Sequence, residues 1–255
     1  EDHHALEMGI VQAKRTGADI VLGTDPDSDR VGIAVRMTDG SYQLMTGNQI
    51  GALLMNFILT HTDMSRYPHP AVVKTVVTSE LGADIARKHG ITVFSTLTGF
   101  KYIGEKITQF EQAKGSGNAE QNYDFLFGYE ESYGYLAGTH ARDKDAVVSS
   151  LLICEMAAYY RSIGSSLKQR MEEIYEQYGR YLNKVDSFEF PGLSGMDKMT
   201  GIMEELRQNP PKSVGELTVK EFRDYDTGKT LKLETGESGE TGLPKSNVLC
   251  FDLTN

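Results

Sequence analysis

The amino-acid sequence predicts an α/β protein whose C-terminal part changes to an α+β pattern. Through most of the chain, short apolar runs of strand type alternate with segments of helical periodicity, which is typical of α/β domains. The alternation stops near residue 185, where a helix-like segment, two prolines and a strand-like run follow one another. With 255 residues, the chain is long enough for two compact domains and part of a third.

The first part of the chain predicts a helix, two strands joined by a polar loop, and a second helix. Apolar residues recur at helical spacing over 6–14 and Gly17 ends that helix. Two apolar runs predict strands over 20–22 and 31–35, and the polar loop 25–30 joins them. A segment rich in Leu, Met and Ile predicts the helix over 47–60.

A second unit begins after Pro68 and Pro70, which stiffen the connection, and it predicts an α/β domain over 70–181. Its helices have N-cap candidates in Ser79, Thr98 and Asp145. The predicted strands are 72–77, 91–94 and 123–128; the predicted helices are 80–89, 99–112, 146–161 and one from Ser165 or Ser166 to about Gly179.

The C-terminal part predicts a helix over 195–208, a strand over 218–225, and an exposed loop over 229–245. Three methionines, Met196, Met199 and Met203, share one face of that helix, which favours packing over metal binding. A new apolar run, 248–251, lies close to the end of the sequence. We therefore expect this part to be a truncated domain.

Composition and charge favour some partners and disfavour others. The net charge of −10 argues against nucleic acid and anionic membrane surfaces, although local positive charge can still bind a phosphorylated small molecule. No apolar run approaches the roughly 20 residues of a membrane-spanning helix, and the N-terminus lacks the order of a secretory signal. With only two cysteines, the expected location is the reducing cytoplasm.

The strongest chemical signal is the segment Asp25-Pro26-Asp27-Ser28-Asp29-Arg30. Carboxylates at alternating positions of a tight turn can converge on one point, and oxygen ligands favour a hard cation such as Mg²⁺ or Ca²⁺. Without a cation they would repel each other by about 1 kcal/mol per pair in water. An EF-hand is disfavoured because Arg30 and Arg36 stand where its glycine and final acid belong. A solvated acidic turn remains the alternative, but the buried strands on both sides favour a rigid site.

This segment resembles the metal loop of the α-D-phosphohexomutases, the family of phosphoglucomutases and phosphomannomutases. Three further stretches resemble, in order, the specificity loop, the sugar-binding loop and the segment that follows it: Thr98-Gly99-Phe100-Lys101, Gly128-Tyr129-Glu130-Glu131-Ser132-Tyr133-Gly134 and Arg142-Asp143-Lys144-Asp145. The double Glu before Ser132 is most similar to bacterial phosphoglucomutases. It departs from the G-E-x-S-G-H form of dual glucose and mannose enzymes.

The resemblance implies phosphohexomutase-type three-layer domains with mixed sheets. It assigns residues 1–67 to the C-terminal part of domain 2, 68–184 to domain 3, and 185–255 to a linker and the truncated start of domain 4. Domain 1, with its phosphoserine, and most of domain 4 would be missing, so we expect this piece to be inactive alone. The implied reaction interconverts α-D-glucose 1-phosphate and glucose 6-phosphate. Its intermediate is glucose 1,6-bisphosphate, which also acts as activator.

The resemblance also implies a metal site and catalytic groups. Asp25, Asp27 and Asp29 would hold Mg²⁺ against the phosphoserine. Arg30 would pair with a phosphate or with the aspartates, unless it forms only a surface salt bridge. Lys144 would be the general acid or base, which requires burial or a nearby cation such as Arg142 to lower its pKa. A phosphate-binding or plain helix-terminus lysine is the alternative.

The remaining site residues are implied to bind the hexose phosphate. Glu130 and Ser132 would bind adjacent sugar hydroxyls, unless the acidic pair at 130–131 is merely solvated. Glu131 has no assigned role and is expected to face water. The other predicted contacts are Arg142 for phosphate, Lys101 beside a helix N-terminus, His140, and the loop residues Thr98, Gly99 and Phe100.

Three other functions stay open at this point. A phosphomannomutase or phosphopentomutase would use the same chemistry on another sugar. A noncatalytic module that binds a sugar phosphate or a divalent cation would use the same residues without a serine loop. An unrelated Mg²⁺-dependent phosphatase is disfavoured by the sugar-binding loop.

Overall fold

A computed structural model describes residues 3–117 and 122–254, which form two compact units. Unit 1 is Glu1–Asn183 and unit 2 is Lys184–Asn255. Helices, an antiparallel sheet and a mixed sheet build unit 1, and a helix with an antiparallel sheet builds unit 2. The α/β class with an α+β C-terminal part is confirmed.

Unit 1 begins with a three-stranded antiparallel sheet flanked by two helices. In chain order the elements are α1 (His3–Thr16), β1 (Ile20–Thr24), β2 (Val31–Arg36), β3 (Tyr42–Leu44) and α2 (Gly47–His61), followed by a 3-10 helix (Met64–Arg66). Leu6 and Ile10 of α1 pack on Ala34 of β2. Ile33 and Val35, its neighbours in the strand, point to the other face and join the main core, as the alternation of side chains along a strand requires.

A mixed sheet with helices on both faces forms the rest of unit 1. Its elements are β4 (Pro70–Thr75), α3 (Glu80–Lys88), β5 (Thr92–Thr96), α4 (Phe100–Ser116), β6 (Asp124–Glu130), β7 (Gly134–Ala137), α5 (Ala146–Ser162) and α6 (Leu167–Tyr178). The strand order is β5-β4-β6-β7, parallel except for β7. Val73 faces Phe100 and Ile103 of α4. Val72 points the opposite way, into the core that includes residues of α2, α3, α5 and α6. The carboxyl ends of β4, β5 and β6 therefore meet at one edge, where ligands bind in such sheets.

Three of the four N-cap candidates cap their helices. Ser79 accepts a hydrogen bond from Leu81 N, and Asp145 accepts from Val147 N and Val148 N. Ser166, rather than Ser165, caps α6. The Thr98 prediction was wrong, because α4 begins after Gly99, whose φ of 118° turns the chain sharply and leaves no side-chain cap.

The described residues of unit 2 form one helix and a five-stranded antiparallel sheet of order β11-β10-β9-β12, in which β8 also pairs with β9. Its elements are α7 (Leu193–Gln208), β8 (Ser213–Val214), β9 (Leu217–Asp224), β10 (Lys229–Lys232), β11 (Ser238–Glu240) and β12 (Leu249–Leu253). The exposed loop predicted over 229–245 was wrong, since two strands lie within it. The prediction that the α7 methionines are packed was also wrong for Met196, which is 75% exposed, and for Met199, which is 51% exposed.

Among the described residues, no single helix has the length and apolar character needed to cross a bilayer. Within the described part of the chain, α5 and α6 taken together reach that length and composition, but they are bent by 88° relative to each other.

Candidate active site

The aspartate loop forms the tip of the β1–β2 hairpin. The strands pair up to Thr24 and Val31, so residues 25–30 must reverse the chain. Asp25 N donates to Arg30 O at 3.3 Å, and Ser28 N donates to Asp25 O at 3.0 Å. Ser28 has a φ of 57°, in the left-handed region that is rare for residues other than glycine. Such strained backbone is concentrated at functional sites.

Asp25 holds this loop together through both carboxylate oxygens. Oδ1 accepts from the backbone N–H groups of Asp29 and Arg30 at 3.2 and 3.1 Å, and Oδ2 accepts from Arg30 Nε at 2.7 Å. Burial alone would raise the pKa of Asp25, but the Arg30 N–H and the Arg30 guanidinium outweigh it and hold the pKa at about 2. Asp25 is therefore a carboxylate at neutral pH.

The three predicted metal ligands converge at the loop tip. One carboxylate oxygen from each of Asp25, Asp27 and Asp29 lies within 4.8 Å of the other two. Asp29 Oδ1 is buried and accepts no hydrogen bond from any described residue, although Arg30 Nε lies 3.6 Å away. A buried acceptor without a donor is costly unless something else binds it. An all-oxygen donor set with this unfilled acceptor fits a hard divalent cation such as Mg²⁺.

Main-chain contacts hold the predicted sugar-binding loop directly against the aspartate loop. Val31 N donates to Tyr133 O at 3.1 Å, and Arg30 forms an antiparallel bridge with Gly134. The first residue of α5 also contacts the loop, because Ala146 N donates to Ser28 O at 3.0 Å. Main-chain hydrogen bonds thus join segments that are about 100 positions apart in the sequence.

Lys144 bridges the two loops. Its Nζ lies 3.0 Å from Asp29 Oδ2 and 3.1 Å from Asp143 Oδ1. Its stem crosses Gly134 so closely that a Cβ there would lie 2.0 Å from Lys144 Cδ. Burial would lower the pKa of Lys144, but the hydrogen bonds and charges of Asp29 and Asp143 outweigh burial and raise it. The lowered pKa that a lysine base needs is not found in this arrangement.

Glu130 joins the sugar-binding loop to the specificity loop. Its Oε1 accepts a hydrogen bond from Gly99 N at 2.7 Å, and the residue is only 5% exposed. Burial raises the pKa of Glu130, although the Gly99 N–H and the charge of Lys144 oppose the rise. Ser132, two positions further at the hairpin tip, is exposed. Thr98 is exposed at the neighbouring loop.

The other predicted contacts are not all free to meet a substrate as they stand. The Phe100 ring is 3% exposed and packs in the core, so it supports the loop and does not line it. Arg142 pairs with Glu111 and donates to the carbonyl oxygens of Thr139 and Ala141, so it is not the neighbouring cation expected for Lys144.

His140 and Lys101 also have protein partners. His140 Nε2 lies 2.8 Å from Asp145 Oδ2, beside the start of α5. Lys101 Nζ lies 4.8 Å from the centre of the Tyr102 ring and is exposed in the first turn of α4. Lys101 could leave this weak contact for an anion more easily than His140 could leave its carboxylate.

One residue of this region was missed by sequence reasoning. Glu131 was expected to face water, but its Oε2 accepts a hydrogen bond from Thr78 Oγ at 2.9 Å. No local signal in the sequence indicates this contact, because Thr78 lies 53 positions before Glu131.

Comparison with known proteins identifies the family. The model of the phosphoglucomutase/phosphomannomutase α/β/α domain III matches residues 46–178, about half of the chain. The chain belongs to the phosphoglucomutase/phosphomannomutase family. A curated relative, the phosphoglucomutase of Staphylococcus aureus strain MRSA252, is 36% identical over 249 residues, which cover 98% of this chain and 43% of the relative. The chain thus spans less than half the length of the family members that it matches.

Solved structures of the phosphoglucomutase/phosphomannomutase family support the fold. The open form of the exocytosis-sensitive phosphoprotein parafusin, a phosphoglucomutase from Paramecium, covers 93% of this chain and 38% of its own, with a TM-score of 0.56 and 19% identity. A family protein from Burkholderia thailandensis covers 82% of this chain and 38% of its own, with a TM-score of 0.54 and 15% identity.

Proposed function

We propose that this chain carries the metal-binding and sugar-reading part of a phosphoglucomutase. The complete protein would interconvert α-D-glucose 1-phosphate and glucose 6-phosphate through glucose 1,6-bisphosphate. Phosphomannomutase and phosphopentomutase activity are the same chemistry on other sugars, and the experiment below separates them. The chain alone would be inactive, because the proposal requires a phosphoserine from a part that this sequence does not contain.

The observation that carries the proposal is the junction of the two loops. A carboxylate cluster suited to Mg²⁺ and a loop with a buried carboxylate beside an exposed serine share hydrogen bonds at Tyr133 and Gly134. Phosphoryl transfer to a sugar needs this adjacency, since the cation must lie near the phosphoryl group while the sugar is held for attack.

The proposed roles follow from the charges of the site. Asp25, Asp27 and Asp29 would hold Mg²⁺, which would withdraw charge from the transferring phosphoryl group. Arg30 fixes Asp25 and so shapes the ligand set. Lys144, with its raised pKa, is suited to holding a proton or binding a phosphoryl oxygen at neutral pH.

The sugar would be read by groups on one side of the hairpin tip. Glu130 has Oε2 available beyond its bond to Gly99, and Ser132 is exposed two residues away. A carboxylate beside a hydroxyl can distinguish an equatorial from an axial sugar hydroxyl. Thr98, Lys101, Arg142 and His140 would complete the substrate contacts. A cytoplasmic location also belongs to the proposal, supported by the free thiols of Cys154 and Cys250.

The experiment titrates the chain with MgCl₂ in a calorimeter, and with glucose 1-, mannose 1- and ribose 1-phosphate by NMR. Asp27→Asn should weaken Mg²⁺ binding on the order of tenfold, because one charged ligand is lost. Asp39→Asn, an exposed aspartate on the β2–β3 turn, is the matched control and should bind like the wild type. Glucose 1-phosphate should shift the amide signals of residues 130–133.

Two results would contradict the proposal. Equal Mg²⁺ affinity in wild type and Asp27→Asn would remove the metal site. Larger amide shifts with ribose 1-phosphate or mannose 1-phosphate than with glucose 1-phosphate would contradict the glucose preference. They would favour a phosphopentomutase or a phosphomannomutase, respectively. A coupled assay for glucose 6-phosphate checks the expected lack of turnover by the chain alone.

A further inference from the structure

Glu131 lies between the two proposed sugar-reading residues in the sequence, and its half-buried side chain is bonded to buried threonines of unit 1. Its Oε2 accepts from Thr78 Oγ at 2.9 Å and lies 3.4 Å from Thr75 Oγ. Thr75 and Thr78 are 0% and 3% exposed. The carboxylate of Glu131 is therefore bonded to the end of β4 and to the connection that follows it.

A buried lysine fixes the connection that Glu131 reaches. Lys74 is 2% exposed, and its Nζ donates to the carbonyl oxygens of Thr75 and Thr78 at 3.1 and 2.9 Å. It also pairs with Glu80 Oε1 at 2.7 Å. A buried ammonium is costly unless its hydrogen bonds are satisfied, and here three acceptors satisfy it. The 75–78 turn is thereby a rigid base for Glu131.

The main chain of the hairpin tip is constrained from a second direction. A Cβ on Gly47 would lie 2.0 Å from the carbonyl oxygen of Glu131 and 2.9 Å from Tyr133 N, so the start of α2 touches the tip without a side chain between them. Tyr133 has a φ of 70°, a conformation that persists only when its surroundings enforce it. The tip is held by its neighbours and does not depend on its own turn alone.

We propose that Glu131 is a positioning residue for sugar recognition. Its hydrogen bond to Thr78, on the base fixed by Lys74, sets the direction in which Glu130 and Ser132 face the sugar. This inference rests on the proposed function, because it assumes that those two residues read the sugar hydroxyls. It assigns the discrimination between sugars partly to a residue that does not touch the sugar.

The test measures sugar preference in Glu131→Ala and Thr78→Val of the full 255-residue chain. Calorimetry gives the Kd for glucose 1-phosphate and for its epimers mannose 1-phosphate and galactose 1-phosphate. Loss of a hydrogen bond to a charged group should weaken glucose 1-phosphate binding about tenfold and bring the three affinities closer together. Glu131→Gln should restore the preference, since its amide oxygen still accepts from Thr78.

Two controls and a second measurement separate positioning from general damage. Glu155→Ala and Thr38→Val, at exposed positions of unit 1, should keep the wild-type affinities. Hydrogen exchange should become faster at residues 131–133 in Glu131→Ala and Thr78→Val, and stay unchanged at residues 70–74 of β4 and 124–129 of β6. If one variant does not fold, the other still gives both readouts.

The outcomes distinguish this inference from the proposed function. If the wild type discriminates between the sugars and both variants discriminate equally well, the positioning role is wrong and the proposed function stands. If Glu131→Ala and Thr78→Val lose the same affinity for all three sugars, and Glu131→Gln does not restore it, Glu131 has only a structural role. That result would overturn the inference. If the wild type binds none of the three, the proposed function fails and the inference fails with it.

Discussion

Replacing Lys144 by methionine should make the chain bind Mg²⁺ more tightly. The ammonium group lies 3.0 Å from Asp29 Oδ2, so it is close to any cation that the aspartate loop binds. It cannot easily move away, because its stem lies against Gly134 and the side chain is only 16% exposed. Methionine has a similar length and no charge, so it removes the repulsion while keeping the packing.

The magnitude follows from distance and charge. Since Mg²⁺ binds carboxylate oxygens at about 2.1 Å, a cation on Asp29 Oδ1 would lie about 5–7 Å from Lys144 Nζ, which contacts Oδ2 of the same carboxylate. A single and a double charge at that separation repel by about 1.2–1.7 kcal/mol at the dielectric constant of water. Salt at 0.1 M screens this to about 0.6–1 kcal/mol, and partial burial acts in the other direction. The expected gain in Mg²⁺ affinity is therefore about threefold to fivefold.

The assay is calorimetric titration of MgCl₂ into wild type and Lys144→Met, at two salt concentrations. Lys101→Met is the matched control, because its ammonium group lies over the Tyr102 ring and forms no ion pair with a carboxylate of the described residues. The difference between Lys144→Met and wild type should shrink at higher salt. Unchanged or weaker Mg²⁺ binding in Lys144→Met would refute the reasoning, since it would mean that Lys144 does not face the bound cation.

Two further predictions concern the hairpin tip. Gly47→Ala should lower the free energy of unfolding by roughly 1–3 kcal/mol, because the new Cβ would meet a backbone oxygen. Gly115→Ala, in open space on α4, should raise the free energy of unfolding by up to about 1 kcal/mol. Thermal unfolding of both variants measures these changes, and equal stability of the two variants would contradict the close contact at Gly47. Glu130→Gln should weaken glucose 1-phosphate binding. It should also become more stable relative to wild type as the pH rises above 4.5, the ordinary pKa of a glutamate. The reason is that the pKa of Glu130 is raised in the folded protein, so that ionisation of Glu130 costs the wild type stability. Urea unfolding at pH 4 and pH 7 measures the difference in free energy of unfolding between the variant and wild type. If the wild type instead became more stable relative to the variant at pH 7, the prediction would be wrong.

The local parts of the site could be predicted from the sequence. Carboxylates at alternating positions, 25 to 29, between two apolar runs indicate a hairpin tip with converging oxygens, and the structure has that arrangement. Ser79 and Asp145 likewise precede their helices at the spacing that capping requires. In each case the signal lies within a few residues, where geometry depends mainly on the local chain.

The errors arose where a local pattern competes with backbone conformation or long-range pairing. Thr98 has the side chain of an N-cap, but the unusual φ of Gly99 starts α4 one residue later. The strands Lys229–Lys232 and Ser238–Glu240 are rich in polar residues and glycine, which is the composition of a loop. They are strands because β9 provides a partner for β10, and β10 for β11. A single sequence contains no local sign of that pairing.

The contact between Lys144 and Asp29 shows why the chemistry of the site needs the three-dimensional arrangement. From the sequence, a lysine beside Arg142 favours a lowered pKa, whereas in the structure Arg142 turns to Glu111 and Lys144 lies between two carboxylates. Lys144 uses Asp29 Oδ2, while Asp29 Oδ1 is buried without a hydrogen bond from the described residues. A cation can therefore bind Oδ1 without displacing Lys144, so lysine and metal would share one aspartate. In that arrangement the bound cation would itself lower the pKa of Lys144, which is the direction that a general base requires.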